Sequence, residues 1–101
     1  MTSNLSVEVQ GFVDDRFESV REEFARNFTE RGDVGASFAA SVEGELVVDI
    51  WGGHRDEAKS LPWEEDTIVN VFSTTKTMTA LCALMLIDQG KMDTEDKVSK
   101  Y

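Results

Sequence analysis

Apolar residues recur at spacings of three and four between Asp14 and Arg31, with charged residues between them. This spacing predicts an amphipathic helix, because it places the apolar side chains on one face. Asp14 is a suitable N-cap and Gly32 a suitable end. An aromatic stripe at helical spacing is more often a face that packs on a sheet than a binding surface, so we assign this one to the core. Its members are Phe17, Val20, Phe24 and Phe28.

Two stretches after this helix have the character of β-strands. Residues 34–42 alternate between apolar and polar, and residues 45–51 are rich in β-branched side chains. Glu43 and Gly44 lie between them and predict a tight hairpin turn. A third apolar run, residues 67–72, predicts a third strand.

A long helix is predicted from Ser73 to Gln89, with Gly90 as its left-handed C-terminal stop. It is apolar on nearly every face from Ala80 to Ile87. That pattern is typical of a helix packed in the middle of a domain, and it predicts that the single cysteine, Cys82, is a buried apolar side chain. The predicted order of helix, antiparallel β-hairpin, third strand and buried central helix belongs to the α+β class.

The predicted elements are too few to cover the central helix. A helix that is apolar all round needs neighbours on all sides, and one amphipathic helix with three strands supplies only some of them. We therefore expect residues 1–101 to form a single partial domain, the N-terminal portion of a larger one.

The net charge of −10 limits the classes of partner. Binding to nucleic acid or to an anionic membrane depends on clustered Lys and Arg, so neither partner is expected. One His and one Cys cannot provide a usual zinc ligand set, and no phosphate-binding glycine loop is present, so no metal and no cofactor are expected. The N-terminus has no basic region followed by an apolar stretch, and we expect a cytoplasmic location.

Lys76 is the only charged residue between Asp66 and Asp88. It follows Ser73 by three positions at the start of the predicted helix, so its amine can reach the serine hydroxyl. Burial and the positive end of the helix dipole both disfavour the ammonium form, and a neutral lysine can activate a serine nucleophile. The backbone N–H of Ser73 would be one of the unpaired donors of the helix start and could bind an oxyanion.

The spacing of Ser73 and Lys76 is not specific by itself, because a Ser-x-x-Lys spacing arises readily by chance. Thr94 and Lys97 have the same spacing. His54 and Asp56 are residue types of a catalytic triad, but triads are not normally built from adjacent residues, and no G-x-S-x-G motif surrounds Ser73. We interpret His54 as a loop residue.

Several segments resemble the β-lactamase-related serine hydrolases, in particular the esterase branch near class C β-lactamases, the family VIII carboxylesterases. The segments are Asp66–Leu81, Asp88–Asp93, Val98–Tyr101, Gly44–Gly53 and the pair Pro62 and Trp63. The resemblance covers nearly the whole chain after about residue 10. It implies the N-terminal part of a serine β-lactamase or DD-peptidase fold.

The same resemblance implies that Ser73 is the acylated nucleophile and Lys76 its proton-transfer partner. It implies hydrolysis through an acyl-enzyme. A carboxylic ester is favoured as the substrate because the local sequence is more similar to the esterase branch, with β-lactams, amides and peptides ending in D-amino acids as alternatives. The family also uses a tyrosine motif and a strand that supplies a second oxyanion N–H, and neither is present in this sequence. Tyr101 comes too soon after the central helix to be that tyrosine.

Two hypotheses of different classes follow. In the first, the chain is the nucleophile-bearing part of a serine hydrolase, and its partners are an ester or amide substrate and the remaining part of the fold, in the same chain or a separate one. In the second, it is a non-catalytic interaction module or fragment whose open sheet edge and apolar helix pair with another chain. The sequence leaves open whether the chain forms a homo-oligomer.

Overall fold

An antiparallel sheet of three strands organises the first part of the chain in the computed structural model, which describes residues 7–101. The strands are β1 (Val9–Val13), β2 (Gly35–Val42) and β3 (Glu45–Gly53). β3 is central and pairs with β1 on one side and β2 on the other. The fold class is therefore α+β, as the sequence predicts.

The chain divides into two compact units, with the boundary between Thr67 and Ile68. The first contains the sheet and helix α1 (Glu18–Thr29), and the second contains helix α2 (Thr75–Asp88). The single-domain interpretation stays a prediction. Residues 1–6, on which the expectation of no secretory signal depends, lie outside the described residues.

The amphipathic helix is confirmed. A 3₁₀ turn, Asp15–Phe17, leads into α1, and the Asp14 carboxylate accepts a hydrogen bond from the Arg16 N–H at 2.9 Å. Phe24 is buried in the core of the first unit, and its ring meets that of Phe28 edge to face at 5.3 Å between centroids. The stripe thus packs on the sheet as predicted. The core comprises Val13, Phe24, Val47, Val48 and Ile50, with Val9, Phe17, Val20, Phe28, Ala36 and Ala40 packed against it.

The hairpin is also confirmed, with Val42 paired to Glu45. Glu43 and Gly44 have φ values of 51° and 83°. Two consecutive residues with positive φ are typical of a type I′ turn, whose twist matches that of the strands it joins.

The third strand is found elsewhere than predicted. Residues 67–70 form no strand, and the run continues directly into a 3₁₀ helix, Phe72–Thr74. The apolar pattern of this run is compatible with a strand, but among the described residues of the second unit no strand is available to pair with it. The third strand is instead β1, which the pattern did not reveal because Gly11 interrupts it. Gly11 has φ of 103°, and a Cβ on it would lie 2.1 Å from the Asp49 carbonyl oxygen, so the close pairing with β3 requires glycine.

Helix α2 ends as predicted but is not buried. Gly90, with φ of 75°, donates its N–H to the Ile87 carbonyl, and Lys91 donates to the Leu86 carbonyl at 2.9 Å. This pair of bonds is a Schellman motif. No residue of α2 is buried and Cys82 is exposed, which corrects both burial predictions. The physical reason is that the second unit has a single α-helix and, in its described residues, no sheet to cover it.

Among the helices of residues 7–101, none combines the length and the hydrophobicity that a membrane crossing requires.

The loop between β3 and the unit boundary is organised by Asp56. Its carboxylate accepts hydrogen bonds from the N–H groups of Ser60 and Leu61, both at 3.0 Å, and from the Ser60 hydroxyl. His54 and Pro62 close the loop as an isolated antiparallel bridge. These hydrogen bonds lower the pKa of Asp56 below its ordinary value of 3.8. The bond from the Ser60 hydroxyl has the largest effect, and the bond from the Leu61 N–H has the next largest.

This lowered pKa predicts a pH dependence of stability. A carboxyl group whose pKa is lower in the folded state stabilises the fold above its unfolded pKa, and the contribution is lost as the pH falls through the folded value. We expect Asp56→Asn to unfold at lower urea concentration than the unchanged chain at pH 7. The difference should shrink progressively as the pH falls below 3.8. Glu57→Gln removes a neighbouring charge and is the control; an equal effect of both variants at pH 7 would contradict the prediction.

Candidate active site

Ser73 and Lys76 lie at the entrance to α2. Ser73 is the middle residue of the 3₁₀ helix Phe72–Thr74, and Lys76 is the second residue of α2, which begins at Thr75. Residues three apart on a helical surface are neighbours, so the two side chains share one end of the helix. Both residues are exposed. The structure therefore places this pair on one continuous helical segment, as the sequence predicts.

The backbone around Ser73 leaves one donor free. Thr74 donates its N–H to the Val71 carbonyl at 3.0 Å, and the N–H of Thr75 points to the carbonyls of Phe72 and Ser73. The N–H of Ser73 precedes these bonds and has no acceptor within the part of the chain that the structure describes. The first N–H groups of a helix have no intrahelical partner, so this donor is available to an external oxygen atom.

The two side chains are not hydrogen-bonded to each other. Among the hydrogen bonds of residues 7–101, none joins the Ser73 hydroxyl to the Lys76 amine. Catalytic hydrogen bonds are often long before substrate binds, so this geometry is compatible with a nucleophile and its base. The exposure of Lys76 differs from the expected burial, because the residues around it in the second unit do not shield it from solvent.

Tyr101 has a different role from that of a base near Ser73. Its hydroxyl donates a hydrogen bond to the Asp96 carboxylate, which also accepts from Lys100 Nζ at 3.4 Å. The hydrogen bond to Asp96 raises the pKa of Tyr101 above its ordinary value of 10.0. Tyr101 therefore holds its proton and ties the C-terminal 3₁₀ helix, Val98–Lys100, to the turn that follows α2.

His54 lies in the first unit, in the bridge to Pro62, and its Nδ1 is buried without a partner among the described residues. It follows β3 directly, and the carboxylate of Asp56 is engaged by Ser60 and Leu61. Within residues 7–101, no three His, Cys, Asp or Glu side chains are grouped so as to hold a metal ion.

The Beta-lactamase family model matches residues 24–101. The curated protein esterase/beta-lactamase LipL of Mycobacterium tuberculosis is 41% identical over 93 residues, which are 92% of this chain and 22% of LipL. The match includes both units of the chain.

Two solved structures are similar. The crystal structure of a family VIII carboxylesterase matches with a TM-score of 0.87 and 46% identity, over 93% of this chain and 26% of that one. A penicillin-binding protein homologue from Caulobacter crescentus matches with a TM-score of 0.75 and 44% identity, over 82% of this chain and 22% of that one. The chain thus spans about a quarter of the length of these relatives.

Proposed function

Because the chain belongs to the beta-lactamase family, we propose that it carries the nucleophile of a serine hydrolase that cleaves carboxylic esters through an acyl-enzyme on Ser73. One observation supports this most directly. Ser73 lies at the start of a helical segment with its own N–H unpaired among the described residues, and Lys76 follows within one turn. A nucleophile, a base and an oxyanion donor then come from four consecutive residues.

In the proposed reaction, Ser73 Oγ attacks the carbonyl carbon of the ester while the neutral amine of Lys76 takes the hydroxyl proton. The carbonyl oxygen becomes an oxyanion, which accepts a hydrogen bond from the N–H of Ser73. When the tetrahedral intermediate collapses, the bond to the leaving alcohol breaks and that alcohol takes the proton from Lys76. Water then attacks the acyl-serine, releases the acid and restores Ser73.

Lys76 can act in this way only if other parts of the protein shield its amine from water. A lysine accepts a proton only as the neutral amine, and exclusion of water favours that form. Since Lys76 and the faces of α2 are exposed in the described residues, we infer that the remaining part of the hydrolase fold covers them, in the same chain or as a separate chain. That part would also supply the second oxyanion donor and a tyrosine.

An ester is the preferred substrate class because the relatives include proteins named an esterase and a family VIII carboxylesterase. A β-lactam is the second candidate, since LipL also carries the name of a beta-lactamase and another relative is a penicillin-binding protein homologue. Both substrates present a carbonyl that is attacked by serine, and they differ in the leaving group.

The proposal is tested by covalent labelling of a chimera. In the family VIII carboxylesterase, the 26% of the chain that matches is replaced by this chain, and the product is treated with a fluorophosphonate. Mass spectrometry is expected to find the label on Ser73, and a p-nitrophenyl ester should be hydrolysed. Ser73→Ala should abolish both, whereas Thr74→Ala, which removes the neighbouring hydroxyl, should retain them.

Absence of label on Ser73 in a folded chimera would refute the enzyme hypothesis. If the isolated chain nevertheless bound the remaining part of the carboxylesterase as a separate chain, the interaction-module hypothesis would be supported instead. Labelling with a β-lactam in preference to the ester probe would reverse the order of the two substrate classes.

A further inference from the structure

Phe72, the residue directly before Ser73, has φ of 48°. Within residues 7–101, the other residues besides glycine with positive φ are Glu43 and Lys59. Glu43 is in the hairpin turn, and Lys59 is in the loop that Asp56 organises. Turns and loops commonly require such values, but a bulky aromatic residue at positive φ is an outlier.

Within residues 7–101, packing of the ring does not account for this conformation. Phe72 is 80% exposed, so few described residues hold it in place. The backbone on each side is fixed instead, by the hydrogen bond from Thr74 to Val71 and by that from Thr75 to Phe72. Unfavourable backbone conformations of this kind cluster at active sites, where they fix the direction of a reacting group.

The sign of φ at residue 72 determines where the next peptide unit points. An ordinary helical φ lies near −60°, so a change to that value would turn the unit that carries the Ser73 N–H by about 110° about the N–Cα bond of Phe72. The Ser73 hydroxyl would turn with it. Ser73 would then present a different direction to any carbonyl group approaching from outside.

We propose that the left-handed backbone of Phe72 is a positioning device for Ser73, which aims both its N–H and its Oγ at the substrate carbonyl. The inference rests on the proposed function, since it assigns a role within that reaction. It concerns the backbone of residue 72 and not its ring. Any residue that keeps positive φ there should therefore support acylation.

The test compares four substitutions in the chimera, all of which remove the ring: Phe72→Gly, Phe72→Asn, Phe72→Ala and Phe72→Val. Glycine and asparagine adopt positive φ readily, whereas the β-branched valine opposes it most strongly. Glycine and alanine differ by one methyl group and form the matched pair. NMR of the 101-residue chain gives the sign of φ at residue 72 in each variant, from the coupling constants and the intraresidue NOE between the amide and α protons.

Variants that keep positive φ are expected to be labelled by the fluorophosphonate at nearly the rate of the unchanged chimera. Variants in which φ becomes negative should lose about 10²-fold in the maximal inactivation rate, because small displacements of a reacting group have effects of this size. The probe concentration at half-maximal rate should hardly change, since binding of the probe before reaction does not depend on the direction in which the Ser73 N–H and Oγ point. A general loss of folding would not produce this separation.

Two results would overturn the inference: full labelling in a variant with negative φ, or lost labelling in a glycine variant that keeps positive φ. The second would show that the ring acts directly. The proposed function fails by a different result, the absence of label on Ser73 in the chimera that retains Phe72, so the two failures are distinguishable.

Discussion

The Lys76→Ala variant of the chimera is expected to acylate Ser73 about 10²–10⁴-fold more slowly than the unchanged protein, which is the usual contribution of a general base. The reason is that the serine hydroxyl is a weak nucleophile unless a neighbouring group accepts its proton. Lys76 lies within one helical turn of Ser73 and is the only charged residue between Asp66 and Asp88. No other base is supplied by that stretch.

The measurement is the rate of label incorporation at Ser73, with circular dichroism to establish that each variant is folded. Lys76→Arg sharpens the test, because it keeps the positive charge but cannot lose a proton at working pH. It should be as slow as Lys76→Ala if proton transfer is the role. The control is Lys97→Ala, which removes the lysine from the same spacing after Thr94 and should leave the rate unchanged. A Lys76→Arg variant that keeps the full rate would refute the assignment as base.

The exposure of Lys76 marks a limit of what the sequence could predict. The apolar residues of α2 correctly indicated a helix and the position of its C-terminal stop, because both depend on local residues such as Gly90. Burial depends on what other segments provide, and in the second unit they provide little cover. The apolar run thus predicted the helix correctly, whereas the prediction of its burial was wrong for residues 7–101.

The sheet shows a similar division between local and distant causes. Glu43 and Gly44 specify a hairpin through their own backbone preferences, and the structure confirms it. The apolar run at residues 67–72 satisfies the pattern of a strand but has no strand to pair with in its unit. β1 carries glycine where a strand former would be expected, because the Asp49 carbonyl leaves no room for a side chain. Pairing, and not composition, decided which segment completed the sheet.

The candidate site was predictable as a pair of residues but not in its backbone detail. Ser73 and Lys76 were indicated by their spacing, by the absence of other charges and by the family resemblance, and the structure places both on one helical segment. Their catalytic roles stay a prediction. The positive φ of Phe72 could not be predicted from the sequence, because positive φ is normally expected at glycine or asparagine and not at phenylalanine. A site of this kind departs from local preferences, which is where function is expected.

Ile50→Ala is expected to lower the free energy of unfolding of the first unit by about 2–5 kcal/mol. Ile50 is 0% exposed in the central strand, paired with Gly11 on one side and Phe38 on the other. Truncation removes apolar contacts and leaves a cavity that the hydrogen-bonded strands on both sides cannot close. Ile50→Val, which removes one methylene, should cost about 0.5–1.5 kcal/mol and gives a graded comparison if the alanine variant is largely unfolded.

Tryptophan fluorescence during urea unfolding measures this change in the first unit alone, because both tryptophans, Trp51 and Trp63, lie in it. The matched control is Ile68→Ala, the same substitution at a residue that is 91% exposed in the second unit. It should change the free energy of unfolding by less than about 0.5 kcal/mol, the usual range for surface positions. If Ile50→Ala and Ile68→Ala shifted the fluorescence midpoint equally, the sheet core would not be what holds the first unit together. A large effect at Ile50 alone would show that the first unit is stabilised by its own core.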